Sequence, residues 1–127
     1  MRWFLVVLLV LHGLIHLIGL PAAWGGAIPG LTSVPLLPLA GATLRLTGAA
    51  WLLAALLLVV AALGLALRYG WWSAAALAGV VVSQSLIVLW WQDARVGTLP
   101  NLVILVAAIW FSLPDRRPAG LAAGAHS

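Results

Sequence analysis

The sequence predicts an all-α polytopic membrane protein with four transmembrane helices in an antiparallel bundle. Of its 127 residues, 65% are hydrophobic and 6% are charged, and the mean hydropathy is +1.21. Soluble domains carry roughly a quarter charged residues, so this chain has too few polar groups to cover a water-facing surface. Four apolar segments stand out, at about residues 2–20, 44–67, 71–91 and 98–113.

The first three segments are long enough to cross a bilayer. A hydrocarbon core of about 30 Å needs about 20 helical residues. Runs such as Leu52 to Leu67 are apolar on every side, whereas the strands of a membrane barrel alternate apolar and polar residues. Backbone polar groups in lipid must bond within the segment, and this predicts helices.

The two connections before the third segment differ in character. The stretch from Pro21 to Thr43 holds four prolines and four glycines. It predicts an irregular outer loop that lies over the mouth of the bundle. Tyr69 and Gly70 predict a tight turn, which makes the second and third helices antiparallel neighbours.

The fourth segment, residues 98–113, is the shortest and would have to thin the bilayer or stand untilted. Thr98 is expected to cap this helix, with Pro100 in its first turn. Residues 114–127, which are rich in small side chains, predict a disordered cytoplasmic tail.

Tryptophan and arginine positions predict the orientation in the membrane. Tryptophan pairs at 71–72 and 90–91 flank the third segment, as expected for two interfacial aromatic belts. With the N-terminus inside, four arginines lie on the inner side and two on the outer side. The inner set is Arg2, Arg68, Arg116 and Arg117, and the outer set is Arg45 and Arg95. The excess predicts a multi-pass membrane protein with both termini in the cytoplasm. Lysine and glutamate are absent while alanine, glycine, leucine and arginine are abundant, a composition that suggests a bacterial source and hence the inner membrane.

An alternative for the N-terminus is a signal peptide over residues 1–27, with a cleavage site at residues 25–27. The two histidines inside its apolar run argue against it.

Several classes of function are excluded. The arginines form no cluster that could follow a phosphate backbone, so no nucleic-acid partner is predicted. Cysteine is absent, which rules out disulfides and thiolate metal sites. The chain has neither a Gly-x-Ser-x-Gly turn nor a phosphate-binding loop. No catalytic residue is therefore assigned, and the chain is predicted not to be an enzyme.

Polar residues within or beside the apolar segments form the candidate site, because such groups are costly in lipid. They are His12, His16, Thr47, Gln84, Asp93, Arg95 and Asn101. Helical rise places them in the outer half of the bundle.

His12 and His16 share one helix face with Gly13 and Gly19, which would let a neighbouring helix approach closely. Such a pair could chelate a metal or carry protons, or it could be two neutral rings bonded to adjoining helices. Because few further ligands exist, no cofactor is predicted.

Three stretches of the sequence resemble an uncharacterised family of small bacterial four-helix integral membrane proteins. These are His12-Gly-Leu-Ile-His16-Leu, Ser83-Gln84, and the run from Trp91 through Asp93-Ala-Arg-Val-Gly-Thr to Asn101. Members are often labelled hypothetical membrane protein or ABC transporter permease. The resemblance implies four helices and the same polar residues, and it brings no activity.

Two other groups share the size of this chain. Small multidrug transporters also have four helices, but their mechanism uses a membrane-embedded glutamate. This chain has none, so His12 or His16 would have to replace it. DoxX-like proteins are similar in size and layout.

Three functional hypotheses follow. The first is a non-enzymatic accessory or interaction subunit, in contact with the lipid bilayer and with a membrane-protein partner or a second copy. The second is a small homodimeric transporter or proton-linked carrier that uses the outer polar cluster. The third is a metal- or haem-binding redox protein.

Overall fold

The computed structural model describes residues 1–26, 29–31 and 34–113, and within these ranges it contains helices and no strand. The predicted tail, residues 114–127, and part of the predicted loop, residues 27, 28, 32 and 33, lie outside the described residues. The helices are α1 Arg2–His16, α2 Gly19–Ala23, α3 Gly41–Ala66, α4 Trp72–Leu89, α5 Trp91–Ala94, a 3-10 turn Arg95–Gly97, and α6 Thr98–Ser112.

These elements make four segments that are long and apolar enough to cross a membrane. They cover Arg2–Ala23, Gly41–Ala66, Trp72–Leu89 and Trp91–Ser112. The fourth has 22 residues, because α5 and the 3-10 turn extend α6 towards α4. This length removes the need to thin the bilayer.

The first segment continues into α2, past the point where the sequence predicts its end. Pro21 lacks an N–H and cannot bond to the Leu17 carbonyl, as an α-helix would require. Leu20 donates to that carbonyl instead, at 3.3 Å. The proline therefore marks a local break between α1 and α2, and it lies inside α2 rather than in the loop.

The interior has two apolar clusters at opposite ends of α3. The terminal core consists of Leu5, Leu9, Leu58, Ala61, Ala62, Leu65, Trp72, Ala76, Val80, Ile104 and Ala108. The loop core consists of Ala23, Trp51, Ala54, Leu86 and Trp90. The terminal core consists of aliphatic side chains and the Trp72 ring, and the buried histidine, serine and asparagine side chains lie towards the loop core.

Two glycines allow α1 and α4 to approach α3 closely. A Cβ on Gly13 would lie 3.1 Å from the backbone oxygen of Ala55, and one on Gly79 would lie 2.9 Å from a methyl of Leu58. Since both contacts are with α3, glycine lets α1 and α4 lie tightly against it, as small residues do in membrane bundles.

The turn between α3 and α4 is closed by a left-handed residue. Arg68 has φ 64°. The Tyr69 N–H donates to the Gly64 carbonyl at 2.9 Å, and the Arg68 N–H donates to the Leu65 carbonyl at 3.3 Å. This pair of bonds is the Schellman motif, with arginine in the position that usually holds glycine.

The tryptophan pairs that flank α4 do not both face outward. Trp71 and Trp91 are exposed, whereas Trp72 and Trp90 are buried in the two cores. The expectation that all four form aromatic belts is therefore wrong for Trp72 and Trp90. Successive helical residues point about 100° apart, so a pair cannot turn both rings to lipid.

Candidate functional site

His16 is bonded at both ring nitrogens. Its Nδ1 lies 2.7 Å from the backbone oxygen of His12, and because a carbonyl only accepts, Nδ1 carries the proton. In the neutral ring, which an apolar interior favours, Nε2 accepts from the Ser83 hydroxyl at 2.7 Å. His16 thus joins α1 to α4.

His12 makes the matching link from α1 to α6. Its Nε2 lies 2.8 Å from Oδ1 of Asn101, which only accepts, so Nε2 donates. The two neutral histidines therefore carry their protons on different nitrogens. The partner atoms fix these assignments, because ring protons are set by the hydrogen bonds around them.

The oxygen and both N–H groups of the Asn101 side-chain amide have hydrogen-bond partners. Its oxygen accepts from His12, and its nitrogen donates to Ser83 Oγ at 2.8 Å and to Gln84 Oε1 at 3.1 Å. The Ser83 hydroxyl also lies 3.1 Å from Asn101 Oδ1. It can donate its hydrogen bond to this oxygen instead of to His16 Nε2. Asn101, Ser83 and both histidines are buried.

Gln84 completes the set, because its Nε2 donates to Thr98 Oγ1 at 3.2 Å. We call His12, His16, Ser83, Gln84, Thr98 and Asn101 the polar network. It connects α1 with α4 and α6. Thr98 serves this network and does not cap α6, since the N-cap residue is Gly97 and no side chain caps it.

The remaining predicted site residues lie outside the polar network. Thr47 is buried and donates to the Leu44 carbonyl of its own helix at 2.6 Å. Arg95 is exposed in the 3-10 turn. Asp93 is half-buried and lines a neighbouring cavity. Four of the seven candidates, His12, His16, Gln84 and Asn101, are therefore brought together.

The cavity has a volume of about 350 Å³ and lies beside the polar network. Its wall is mainly apolar and comes from α1, α2, α3, the end of α4 and the start of the fourth segment. The lining residues that carry polar atoms on their side chains are His12, His16, Trp51, Trp90 and Asp93.

Trp51 and Trp90 line this cavity, and sequence reasoning missed both. They are 6% and 3% exposed, and neither indole N–H has a hydrogen-bond partner within the described part of the chain. Their rings lie 5.8 Å apart, and the Trp51 ring lies 5.3 Å from the ring of His16. The sequence signal was slight, because Trp51 sits in a uniformly apolar run and Trp90 resembles a belt residue.

Gly19 gives Trp51 its place in the cavity wall. A Cβ at Gly19 would lie 2.3 Å from the Trp51 ring, closer than any side chain allows. The glycine that the sequence placed on the histidine face therefore packs against an aromatic ring.

The histidines offer little to a metal ion. Both nitrogens of His16 and one of His12 already have partners. Within the ranges that the structure covers, no group of three or more His, Cys, Asp or Glu side chains is arranged to hold a metal. Metal binding at His16 would have to break the polar network.

Comparisons with protein-family models, with curated protein sequences and with solved structures find no match for this chain. The resemblance stated from the sequence motifs stays a prediction, and the functional argument comes from the polar network and the cavity.

Proposed function

We propose that the protein is a non-enzymatic integral membrane protein that binds a small apolar molecule in the cavity beside the polar network. The cavity is the observation that carries this proposal. Its volume of about 350 Å³ lies at the lower end of the range for small-molecule sites, about 300–1,000 Å³. An apolar wall with a few polar groups is also typical of such sites.

The polar network supports a structural role for the histidines. General acid–base chemistry needs a group free to exchange a proton with a substrate. The hydrogen-bonding atoms of the His16 and Asn101 side chains already have partners within the protein. The network therefore works as a clamp that fixes the helices around the cavity.

The proposed setting is an antiparallel four-helix bundle in the bacterial inner membrane, with both termini in the cytoplasm. Arginine counting supports this orientation. The cavity then lies towards the outer leaflet, below the Pro/Gly-rich loop, and Leu31 of that loop contributes to its wall. An accessory role follows, in which the protein holds a lipophilic molecule for a membrane-protein partner or within a homodimer.

A carrier is the second candidate, because three titratable side chains, His12, His16 and Asp93, line the same cavity. Proton-linked transport uses such groups inside the membrane. Proton-dependent uptake of a lipophilic cation into proteoliposomes, lost in a double His12→Gln and His16→Gln variant, would favour the carrier over the binding protein.

The binding proposal is tested with methylnaphthalene, an apolar ring compound, partitioning between nanodiscs with and without the protein. Ala22 lines the cavity, so Ala22→Phe fills it. We expect an affinity loss of about tenfold, equivalent to about 1.4 kcal/mol.

Ala49→Phe is the matched control, because Ala49 lies on α3 with its side chain exposed. It should leave the affinity unchanged, and thermal melting of both variants checks their folding. Equal methylnaphthalene binding by folded Ala22→Phe and by the unchanged protein would overturn the proposal.

A further inference from the structure

We infer that the cavity selects an uncharged, ring-shaped carbonyl compound of the quinone class, held by the indole N–H groups of Trp51 and Trp90. This inference rests on the proposed function and adds the chemical class of the ligand. It starts from two buried donors without partners, both on residues that line one cavity. Neither nitrogen is accessible from the cavity, so a ligand reaches them only after a small rotation of the two rings.

An unpaired buried N–H is unfavourable, and buried tryptophan usually finds an acceptor for it. In the described part of the chain, these two are the only buried side-chain nitrogen or oxygen atoms without a partner. The six side chains of the polar network nearby are bonded to one another. This contrast indicates that the two indole N–H groups bind a ligand and do not hold the helices together.

The residues that line the cavity indicate that its ligand is uncharged. Indole N–H groups donate, so the ligand must present an acceptor, and an ammonium group presents none. Neither lysine nor arginine is among the lining residues, so an anionic ligand would find no cationic partner there. A neutral carbonyl oxygen satisfies both conditions, because it accepts a hydrogen bond and carries no charge.

The aromatic residues of the cavity wall indicate that the ligand contains a planar ring. The Trp51 ring is tilted 65° to the ring of Trp90 and 55° to the ring of His16. Planar rings pack well against such edge-to-face and tilted walls. The volume admits a ring system and leaves no room for a whole phospholipid, so an isoprenoid tail would have to extend into the bilayer.

Water is the competing occupant. A buried water needs two to four polar partners, whereas most of the lining residues are apolar. A ring compound with one or two carbonyl groups matches both the apolar wall and the paired donors.

The test compares menadione, a naphthoquinone, with methylnaphthalene, which has the same ring system without carbonyls. Nanodisc partition is measured for the unchanged protein, for Trp51→Phe, for Trp90→Phe and for the double variant. Phenylalanine keeps an aromatic wall and removes the N–H. We expect menadione affinity to fall roughly three- to tenfold per indole and methylnaphthalene affinity to stay the same.

Trp110→Phe is the matched control, since Trp110 is 73% exposed and does not line the cavity. It should bind both probes as the unchanged protein does. If the variants fail to fold, isotope-labelled tryptophan in the unchanged protein gives a second readout. Menadione should then shift two indole N–H resonances in the direction expected for a new hydrogen bond. Methylnaphthalene should shift neither resonance in that direction.

The outcomes separate the two proposals. If neither probe binds the unchanged protein, the proposed function fails. If methylnaphthalene binds, but menadione binds no tighter or keeps its affinity in the double variant, the carbonyl inference fails and the apolar site stands.

Discussion

Replacing Asn101 with leucine tests whether the polar network holds the bundle together. Leucine has a similar volume, so the change removes polar groups and creates little empty space. Asn101 makes bonds to His12, Ser83 and Gln84 at 2.8, 2.8 and 3.1 Å. At about 0.6 kcal/mol for an interhelical bond in a membrane, their loss costs about 2 kcal/mol. The His12 N–H and the Gln84 carbonyl also lose a partner, so we expect a total of about 3–4 kcal/mol.

Reversible unfolding in mixed micelles measures this loss of free energy. Thr47→Val is the matched control, because the Thr47 hydroxyl bonds within its own helix and joins no other. It should cost less than about 1 kcal/mol. A second measurement couples Asn101→Leu with His12→Phe in a double-mutant cycle. We expect a coupling of about 0.5–2 kcal/mol, since the two side chains are in direct contact. A loss below about 1 kcal/mol for Asn101→Leu, with no coupling, would refute the clamp.

Three further predictions follow from local geometry. Arg68→Gly should stabilise the protein by about 0.5–1 kcal/mol in the same unfolding assay, because glycine adopts the positive φ of this position without strain; a destabilised variant would contradict the Schellman interpretation. Gly19→Ala should push Trp51 into the cavity and weaken methylnaphthalene binding, whereas Gly70→Ala, where a Cβ meets nothing within 4 Å, should not; equal binding would count against the cavity wall described here. The chain has no cysteine, so single cysteines report topology: an impermeant maleimide should label Ala42→Cys in intact cells and Gly70→Cys only after lysis, and the reverse pattern would invert the proposed orientation.

Hydropathy was sufficient to predict four transmembrane helices, three of them of full membrane length, because burial in lipid requires long apolar segments with internal backbone bonds. It did not predict the detail at segment ends. The break before Pro21 and the extension of α6 back to Trp91 depend on which carbonyl each N–H reaches. The burial of Trp72 and Trp90 depends on how α4 is rotated about its axis.

The candidate site was likewise predictable only in part. The spacing of His12 and His16 placed both rings on one face, and the cost of polar groups in lipid singled out Gln84 and Asn101. Their partners could not be predicted, since pairing His16 with Ser83 requires the relative rotation of two helices. Trp51 was missed because an aromatic residue in an apolar run gives no signal until its N–H is seen to be buried without a partner.

The polar network and the cavity have a common physical reason to lie at the same end. Helices in lipid are not driven together by the hydrophobic effect, so packing contacts and hydrogen bonds must hold them. The terminal core achieves this with closely packed leucine and alanine side chains. A cavity of about 350 Å³ removes such contacts from the other end. Bonds from His12, His16 and Asn101 can replace them without filling the space, so a clamp of polar side chains allows the helices to keep this cavity open.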